Sequence, residues 1–289
     1  MGFDNQAFKG LLGLNERNLD WVYRYNPRET FPQVDDKIRT KEILCSGGIP
    51  VPETLLVVDS FMHLDASLED LRTFSEFVIK PSRGRAGGGI LLLKKTGPDV
   101  WTVPSGAECS LSEIEIHIGE ILFGVYSFGG TDDRALIEKK IVPDLFFREI
   151  YSGGVADIRV ILFKGRPVMA MARIPTAVSD GKANLHQGAI GVGVDLETGV
   201  LTSGAQRGRM ITRHPDTDTE LQGRVIPGWS DVLKISIGAA ALVDLEYLGV
   251  DIVLDEHEGP LILELNARPG LEIQTVNGKL LGSELGRLV

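Results

Sequence analysis

Residues 251–270 read DIVLDEHEGPLILELNARPG. Two apolar runs, IVL and LIL, flank the turn-like EHEG, so the stretch predicts a β-hairpin turning around Glu258-Gly259. Side chains two apart in a strand share a face, which puts Glu264 and Asn266 together. A two-residue turn of His257-Glu258 pairs Asp251 with Glu264, and a turn of Glu258-Gly259 pairs it with Asn266. Directly opposed residues also share a face. Either register therefore gathers Asp251, Glu264 and Asn266 as oxygen ligands on one rigid surface. That set suits Mg²⁺, which takes one or two carboxylates and leaves room for substrate phosphate. The blander alternative is a solvated polar strand face, and the apolar runs on either side weigh against it.

The second informative stretch is FVIKPSRGRAGGGILLLKK, residues 77–95. It predicts strand, glycine loop, strand, which is a hairpin able to lie over a ligand. The dinucleotide fingerprint and the P-loop both need a helix after the loop, and no helical pattern follows here. Lys80 ends the first strand, so its ammonium points under the loop. Gly87, Gly88 and Gly89 let backbone N–H groups close on phosphate oxygens, and Arg83 and Arg85 add charge. Glycine is 34 of 289 residues, about 12% against a usual ~7%.

Composition sets the outer bounds. Hydrophobic residues at 43% and charged residues at 24% are ordinary for a globular chain. At roughly 150 residues per domain the length suggests about two domains. Lys+Arg number 30 against 40 Asp+Glu, a net charge of −10, which argues against a surface built to hold nucleic-acid backbone. MGFDNQAFKGLLGLNERNLD contains no apolar run of signal-peptide or membrane-span length. A cytoplasmic chain without membrane or nucleic-acid partners is expected. Cys45 and Cys109 stand far apart, so neither a disulfide framework nor a zinc site is indicated.

Outside the two key stretches the pattern is α+β. DDKIRTKEILCS predicts a helix stopped by Gly47-Gly48, LLVV a strand, and the residues after Asp65 and Ser67 a second helix. Ser110 with Glu113 forms a capping box ahead of Leu111, Ile114, Ile118, Ile121, Leu122 and Val125. ALIEKKI reads as a strand. VADIRVILFKGRPVMAMARI reads as a hairpin turning at Lys164-Gly165-Arg166, and GAIGVGVDLETGVLTSG as one turning near Thr198-Gly199. RHPDTDTELQGRVIPGW reads as loop. A last long helix is expected from Ser230-Asp231 through Val232, Ile235, Leu242 and Leu245 to a stop at Gly249. His63, His117, His214 and His257 lack partners at motif spacing and are given no role.

Taken together, these features resemble the ATP-grasp superfamily, and from about Asp35 to the C-terminus the chain is similar to alpha-L-glutamate-ligase-like (RimK-type) proteins. RHPDTDTELQGRVIPGW, with LHQG before it, resembles the sugar-transfer-associated ATP-grasp branch. The resemblance implies an α+β fold of two subdomains clasping ATP between them. It implies a short N-terminal segment (1–36) in place of the usual preceding domain, an ATP-grasp N-terminal part (37–137) and a C-terminal part (138–289). Lys37 in DDKIRTK and Lys80 in VIKPSRGRAGGGI match the ATP lysines. In ALIEKKI, Glu138, the backbone of Lys139 and Ile141 match the adenine-holding hinge, with Asp144 as ribose ligand. ADIRV supplies Asp157 and Arg159, ANLHQGA supplies Asn184 and His186, and ELNARPG supplies the metal strand and Arg268.

The implied reaction is ATP-dependent carboxylate–amine ligation through an acyl phosphate, with a pair of Mg²⁺ ions (Mn²⁺ as a substitute) on Asp251, Glu264 and Asn266. Arg173 and Arg268 would stabilise the transferred phosphoryl group and the oxyanion, while Asn184 and His186 line the γ end. Expected partners are small-molecule or peptide carboxylates and amines, and a homo-oligomer or partner subunit that makes up for the missing N-terminal domain. The competing classes are a non-ligating nucleotide-binding regulator or scaffold, and a kinase acting on a carboxylate or sugar.

Overall fold

In the computed structural model, residues 10–84, 87–127 and 130–289 are described. Arg85 of the glycine loop and the first nine residues lie outside them. The described chain divides into two compact units. Helix α1 (Lys37–Ser46) forms where expected, with the Asp36 carboxylate accepting from the Ile38 N–H at 3.1 Å. It stops at Gly47, and Gly48 turns left-handed at φ +70°.

The smaller unit comprises residues 36–38 and 52–141. In chain order it contains β1 (Thr54–Val58), α2 (Leu64–Leu71), β2 (Glu76–Pro81), β3 (Leu91–Gly97), β4 (Val100–Thr102), β5 (Glu108–Ser110), α3 (Leu111–Leu122) and β6 (Ala135–Lys139). Its strands form one sheet in the order β1-β6-β2-β3-β4-β5. Ile114, Ile118 and Ile121 recur at helical spacing along α3 and pack with Phe77, Ile79, Leu93 and Trp101 into the core of this unit.

The capping box is formed as expected. Ser110 Oγ accepts from the Glu113 N–H at 3.3 Å, and Glu113 Oε2 accepts from the Ser110 N–H at 2.7 Å. Replacing Ser110 with alanine is expected to cost about 1 kcal/mol, read as a lowered urea midpoint at unchanged slope. Val125 falls beyond the helix, because α3 ends at Leu122 and Gly124 takes φ +76°. The short strands β4 and β5, the second at the sheet edge, lie in a stretch too brief to show a period.

The larger unit holds the chain up to residue 35, residues 39–51 and residues 142–289. It contains α4 (Leu145–Ile150), β7 (Asp157–Phe163), β8 (Arg166–Ile174), β9 (Ile190–Val194), β10 (Leu201–Gln206), β11 (Arg209–Ile211), α5 (Trp229–Ala240), β12 (Tyr247–Asp255), β13 (Gly259–Asn266), α6 (Glu272–Asn277) and α7 (Leu281–Gly286). The strands form one antiparallel sheet ordered β11-β10-β9-β8-β7-β12-β13. The β7–β8 hairpin turns at Lys164 and Gly165, with φ +51° and +71°, the signature of a two-residue turn that follows strand twist.

Three expectations need correction here. Helix α5 ends at Ala240, not Gly249, and residues from Tyr247 onward are strand. Every residue of β12 is buried, so its run of apolar side chains carries no alternation to distinguish strand from helix. Gly249 is needed for packing, because a Cβ there would lie 2.7 Å from Pro269. The β12–β13 turn has three residues, 256–258, rather than two, with Asp255 opposite Gly259. Asp255 Oδ1 fastens it by accepting from the His257 and Glu258 N–H groups at 2.9 and 3.1 Å. A bulge then restores the pairing of Asp251 with Glu264. Finally, Trp229, the last residue of the stretch read as loop, is the first residue of α5.

Residues 14–25, which show no clean period in sequence, are helical and include a π-helical stretch, Arg17–Val22. Val22 is fully buried, and Trp21 and Tyr25 meet the Phe163 ring edge-on at 5.4 and 4.8 Å. Asn26 bonds both ways to the Tyr247 backbone, at 2.7 and 3.0 Å. Gln274 does the same to Leu12, at 2.9 and 3.1 Å. Among the described residues no helix is long and apolar enough to cross a membrane.

Candidate active-site face and glycine loop

In the larger unit, neighbouring strands set a row of opposed residues, Met171–Arg159–Asp251–Glu264, across β8, β7, β12 and β13. Asp157 and Asn266 lie two residues from members of this row, and Arg173 is directly opposite Asp157. Period two therefore places Asp157, Arg159, Arg173, Asp251, Glu264 and Asn266 on a single face. The opposite face carries Ile158, Val160, Val250 and Ile252, all fully buried.

Asp251 is the hub. Arg159 grips it with two bonds, Nε to Oδ1 at 2.7 Å and Nη2 to Oδ2 at 2.6 Å. Arg173 Nη2 donates to the same Oδ2 at 2.8 Å, and makes a two-bond pair with Asp157, both at 2.6 Å. Burial alone would raise the Asp251 carboxyl, but the two guanidiniums hold it well below the usual carboxylate range. Burial pushes Asp157 up to about 6, against the pull of Arg173 and with the push of the Asp251 charge. Burial disfavours the Arg173 cation, and the two aspartates more than offset that.

These four charges cancel, two against two, which leaves Glu264, among the described residues, as the carboxylate on the face that no guanidinium pairs with. Asn266 Nδ2 bridges Asp251 Oδ2 at 3.2 Å and Glu264 Oε1 at 3.3 Å, which turns its Oδ1 away from both carboxylates. Among the described residues no group of three His, Cys, Asp or Glu side chains is gathered as a metal cage. The donors that are present, Glu264, Asn266 Oδ1 and the remaining capacity of Asp251, fit a hard cation completed by phosphate and water rather than an all-protein site.

The other expected residues of this unit occupy defined local positions. Arg268 lies 4.9 Å over the Phe31 ring and 3.4 Å from Asp35 Oδ2. His186 is exposed, with Nε2 at 3.2 Å from Glu272. Asn184 Oδ1 accepts from the His186 N–H at 3.0 Å. Asp144 caps α4, its Oδ1 accepting from the Phe146 N–H at 2.8 Å. His214, given no role, is a satisfied core histidine bonded to Pro175 O at 2.8 Å.

In the smaller unit, Lys37 Nζ donates to Gly84 O at 2.7 Å, at the start of the glycine loop. Lys80 Nζ lies 2.5 Å from Glu138, which is buried. Lys139 is exposed and its N–H already donates to Glu53 O at 3.0 Å, while Ile141 is half-buried. Gly87 and Gly89 take φ +76° and +73°, and a Cβ on Gly89 would meet the Tyr126 ring at 2.7 Å. Gly88 lies between them, exposed.

Two buried aspartates fix the loop's base. Asp133 accepts from the Arg83 N–H at 3.0 Å and from Ser127 Oγ at 2.5 Å. Asp36 accepts from Ser82 Oγ at 2.5 Å, Arg134 at 2.9 Å and Arg83 Nε at 3.4 Å. The far end of the loop is held by His117, whose Nε2 donates to Gly89 O at 2.9 Å. Tyr126 donates to Glu120 at 2.5 Å, and burial together with that bond pushes its pKa up to about 12. Sequence reading gave His117 no role and did not single out Asp133. The only signal for Asp133 is its place in TDDR, where it reads as turn polarity.

The model of a protein family described as "Sugar-transfer associated ATP-grasp" matches residues 16–288. A "Probable alpha-L-glutamate ligase" of Syntrophotalea carbinolica is 26% identical over 287 residues, 98% of this chain and 72% of that protein. A "Probable alpha-L-glutamate ligase 1" of Hahella chejuensis is 24% identical over 277 residues, 94% of this chain and 68% of that one. Among solved structures, a biotin carboxylase from Campylobacter jejuni in complex with a form of ATP is similar at a TM-score of 0.53 and 14% identity. The match covers 89% of this chain and 46% of that one, and the likeness is one of fold.

Proposed function

The chain belongs to the sugar-transfer-associated ATP-grasp family and has the α+β ATP-grasp fold, and from that premise we propose that it is an ATP-dependent carboxylate–amine ligase. A substrate carboxylate oxygen attacks the γ-phosphorus of ATP, the bond to the β-phosphate oxygen breaks, and ADP leaves. The resulting acyl phosphate is attacked at its carbonyl carbon by an amine, which loses a proton as inorganic phosphate departs, giving an amide. The names of the relatives support an amino acid, glutamate first, as one of the joined groups.

The observation that carries this reading is Glu264, a carboxylate that no guanidinium among the described residues pairs with, on a face whose other charges are mutually compensated. Glu264, Asn266 and Asp251 would hold Mg²⁺, which supplies charge neutralisation at the β- and γ-phosphate oxygens. Arg159 fixes the Asp251 carboxylate. Lys37, Lys80 and the N–H groups of Gly87 to Gly89 would neutralise and seat the phosphates, with Arg83 adding charge. Glu138, the Lys139 backbone and Ile141 would hold adenine, and Asp144, with the oxygen its cap leaves free, the ribose. Arg173 and Arg268 would stabilise charge on the phosphoryl group and the oxyanion, with Asn184 and His186 at the γ end.

Incubation of the protein with ATP, Mg²⁺ and a pooled amino-acid and peptide mixture is expected to release ADP and phosphate. It is also expected to yield a product heavier by one amino acid less one water. Bound ATP with no turnover on any acceptor would count decisively against ligation. A stable phosphorylated product without an amide would move the protein to the kinase class.

A further inference from the structure

We propose that Arg17, in the segment ahead of α1, is a positioning residue for the turn at Arg268–Gly270, which makes residues 10–35 a working part of the larger unit's site. The proposal rests on the reading of Arg268 given above. Arg17 is only 5% exposed. A buried guanidinium is costly unless a carboxylate or full hydrogen bonding compensates it, and among the described residues Arg17 has no carboxylate within ion-pair distance. Its Nη1 donates to Pro269 O at 2.6 Å and its Nε to Asn18 Oδ1 at 3.0 Å. Burial pulls its pKa below the usual arginine value, and the like charge of Arg268 adds to that against the weaker opposing pulls of Tyr247, Tyr23 and the more distant Glu272 carboxylate.

A cation in so unfavourable a place, bonded to a backbone carbonyl, fixes that backbone. Pro269 O is one residue from Arg268 and one from Gly270. The same N-terminal segment also supplies Phe31 under the Arg268 guanidinium at 4.9 Å and Asp35 beside it at 3.4 Å. Pro269 presses onto Gly249 of β12, and a Cβ on Gly270 would come within 2.4 Å of Glu272. The turn thus joins the end of β13, which carries Glu264 and Asn266, to the start of α6.

Anchoring alone needs no charge. The segment's buried ties elsewhere are neutral amides on backbone, Asn26 to Tyr247 and Gln274 to Leu12, and its charged ones, Gln33 on the Asp244 carboxylate and backbone at 2.8 and 2.9 Å and Lys164 over Tyr25, are exposed or on a ring face. The guanidinium is found where the anchor adjoins Arg268.

The test compares wild type, Arg17→Met, Arg17→Lys and the control Gln33→Ala, first by hydrogen–deuterium exchange of peptides covering 266–280. Arg17→Met is expected to speed exchange there on the order of tenfold, whereas Gln33→Ala lowers the melting temperature without that local change. Arg17→Lys keeps the charge but loses the fork that reaches both acceptors; it should show a smaller rise, and it answers the question if the Met variant does not fold. In ADP release, Arg17→Met is expected to lower kcat about 10- to 100-fold with the ATP KM within about twofold. Added to Arg268→Ala it should cost nothing further, because Arg17 acts through Arg268. Unchanged exchange at 266–280, or a rise matched by Gln33→Ala, would overturn the proposal. Absence of turnover in wild type would remove the ligase reading, while exchange would still decide the role of Arg17.

Discussion

Replacing Asp251 with alanine is expected to destabilise the larger unit by about 3–5 kcal/mol, measured by urea unfolding followed by tryptophan fluorescence. Asp251 is 1% exposed and receives both Arg159 and Arg173. Removing it leaves two guanidiniums in a low-dielectric layer with one carboxylate, Asp157, between them. Asp157 loses the push of the Asp251 charge that helps raise it, but one carboxylate does not balance two guanidiniums. The loss exceeds the worth of any one hydrogen bond because the stranded charges have no water to return to. A loss under about 1 kcal/mol, the size of an exposed ion pair, would show that the network is solvated.

Glu264→Ala is expected to behave in the opposite way. Among the described residues its carboxylate accepts from Asn266 at 3.3 Å, lies against Asp251 and forms no ion pair with a guanidinium, so unfolding should move by no more than about 0.5 kcal/mol. ATP-dependent amide formation should fall at least about a thousandfold, equivalent to about 4 kcal/mol of barrier. Calorimetric ATP titration in the absence of acceptor separates lost chemistry from lost binding. Activity within about tenfold of wild type would remove Glu264 from the site. Asp251 and Glu264 face each other across one pair of strands, yet the first is expected to be read mainly in stability and the second in rate.

The charged face was legible because a strand's alternation is a short-range rule, and both plausible turns put the same three residues together. The glycine hairpin was legible for a similar reason, as strand, loop and strand follow within 77–95. Other assignments depended on contacts that sequence spacing does not express. Asp144 and Asn184 occupy positions where their oxygens first serve the backbone two residues on, a competition inherent to Asx side chains. His117 gains its partner, Gly89, from the glycine loop 28 residues away. The N-terminal segment gave no period because what orders it, Tyr247, Pro269 and Gln274, lies more than 200 residues downstream.

The bulge in the last hairpin has a further consequence. Near the turn, Val253 opposes Leu261 and Ile252 opposes Ile262, whereas beyond the bulge Asp251 opposes Glu264, so Leu263 is the supernumerary residue. Strand β13 therefore changes parity at Leu263: its odd-numbered residues share the Asp251 side below that point, and its even-numbered residues above it. Continuing the turn-end pairing without interruption would set Leu263 opposite Asp251 and rotate Glu264 and Asn266 toward the apolar layer. An engineer who regularised this ribbon by extending that pairing would keep every ligand in the sequence and face two of them the wrong way.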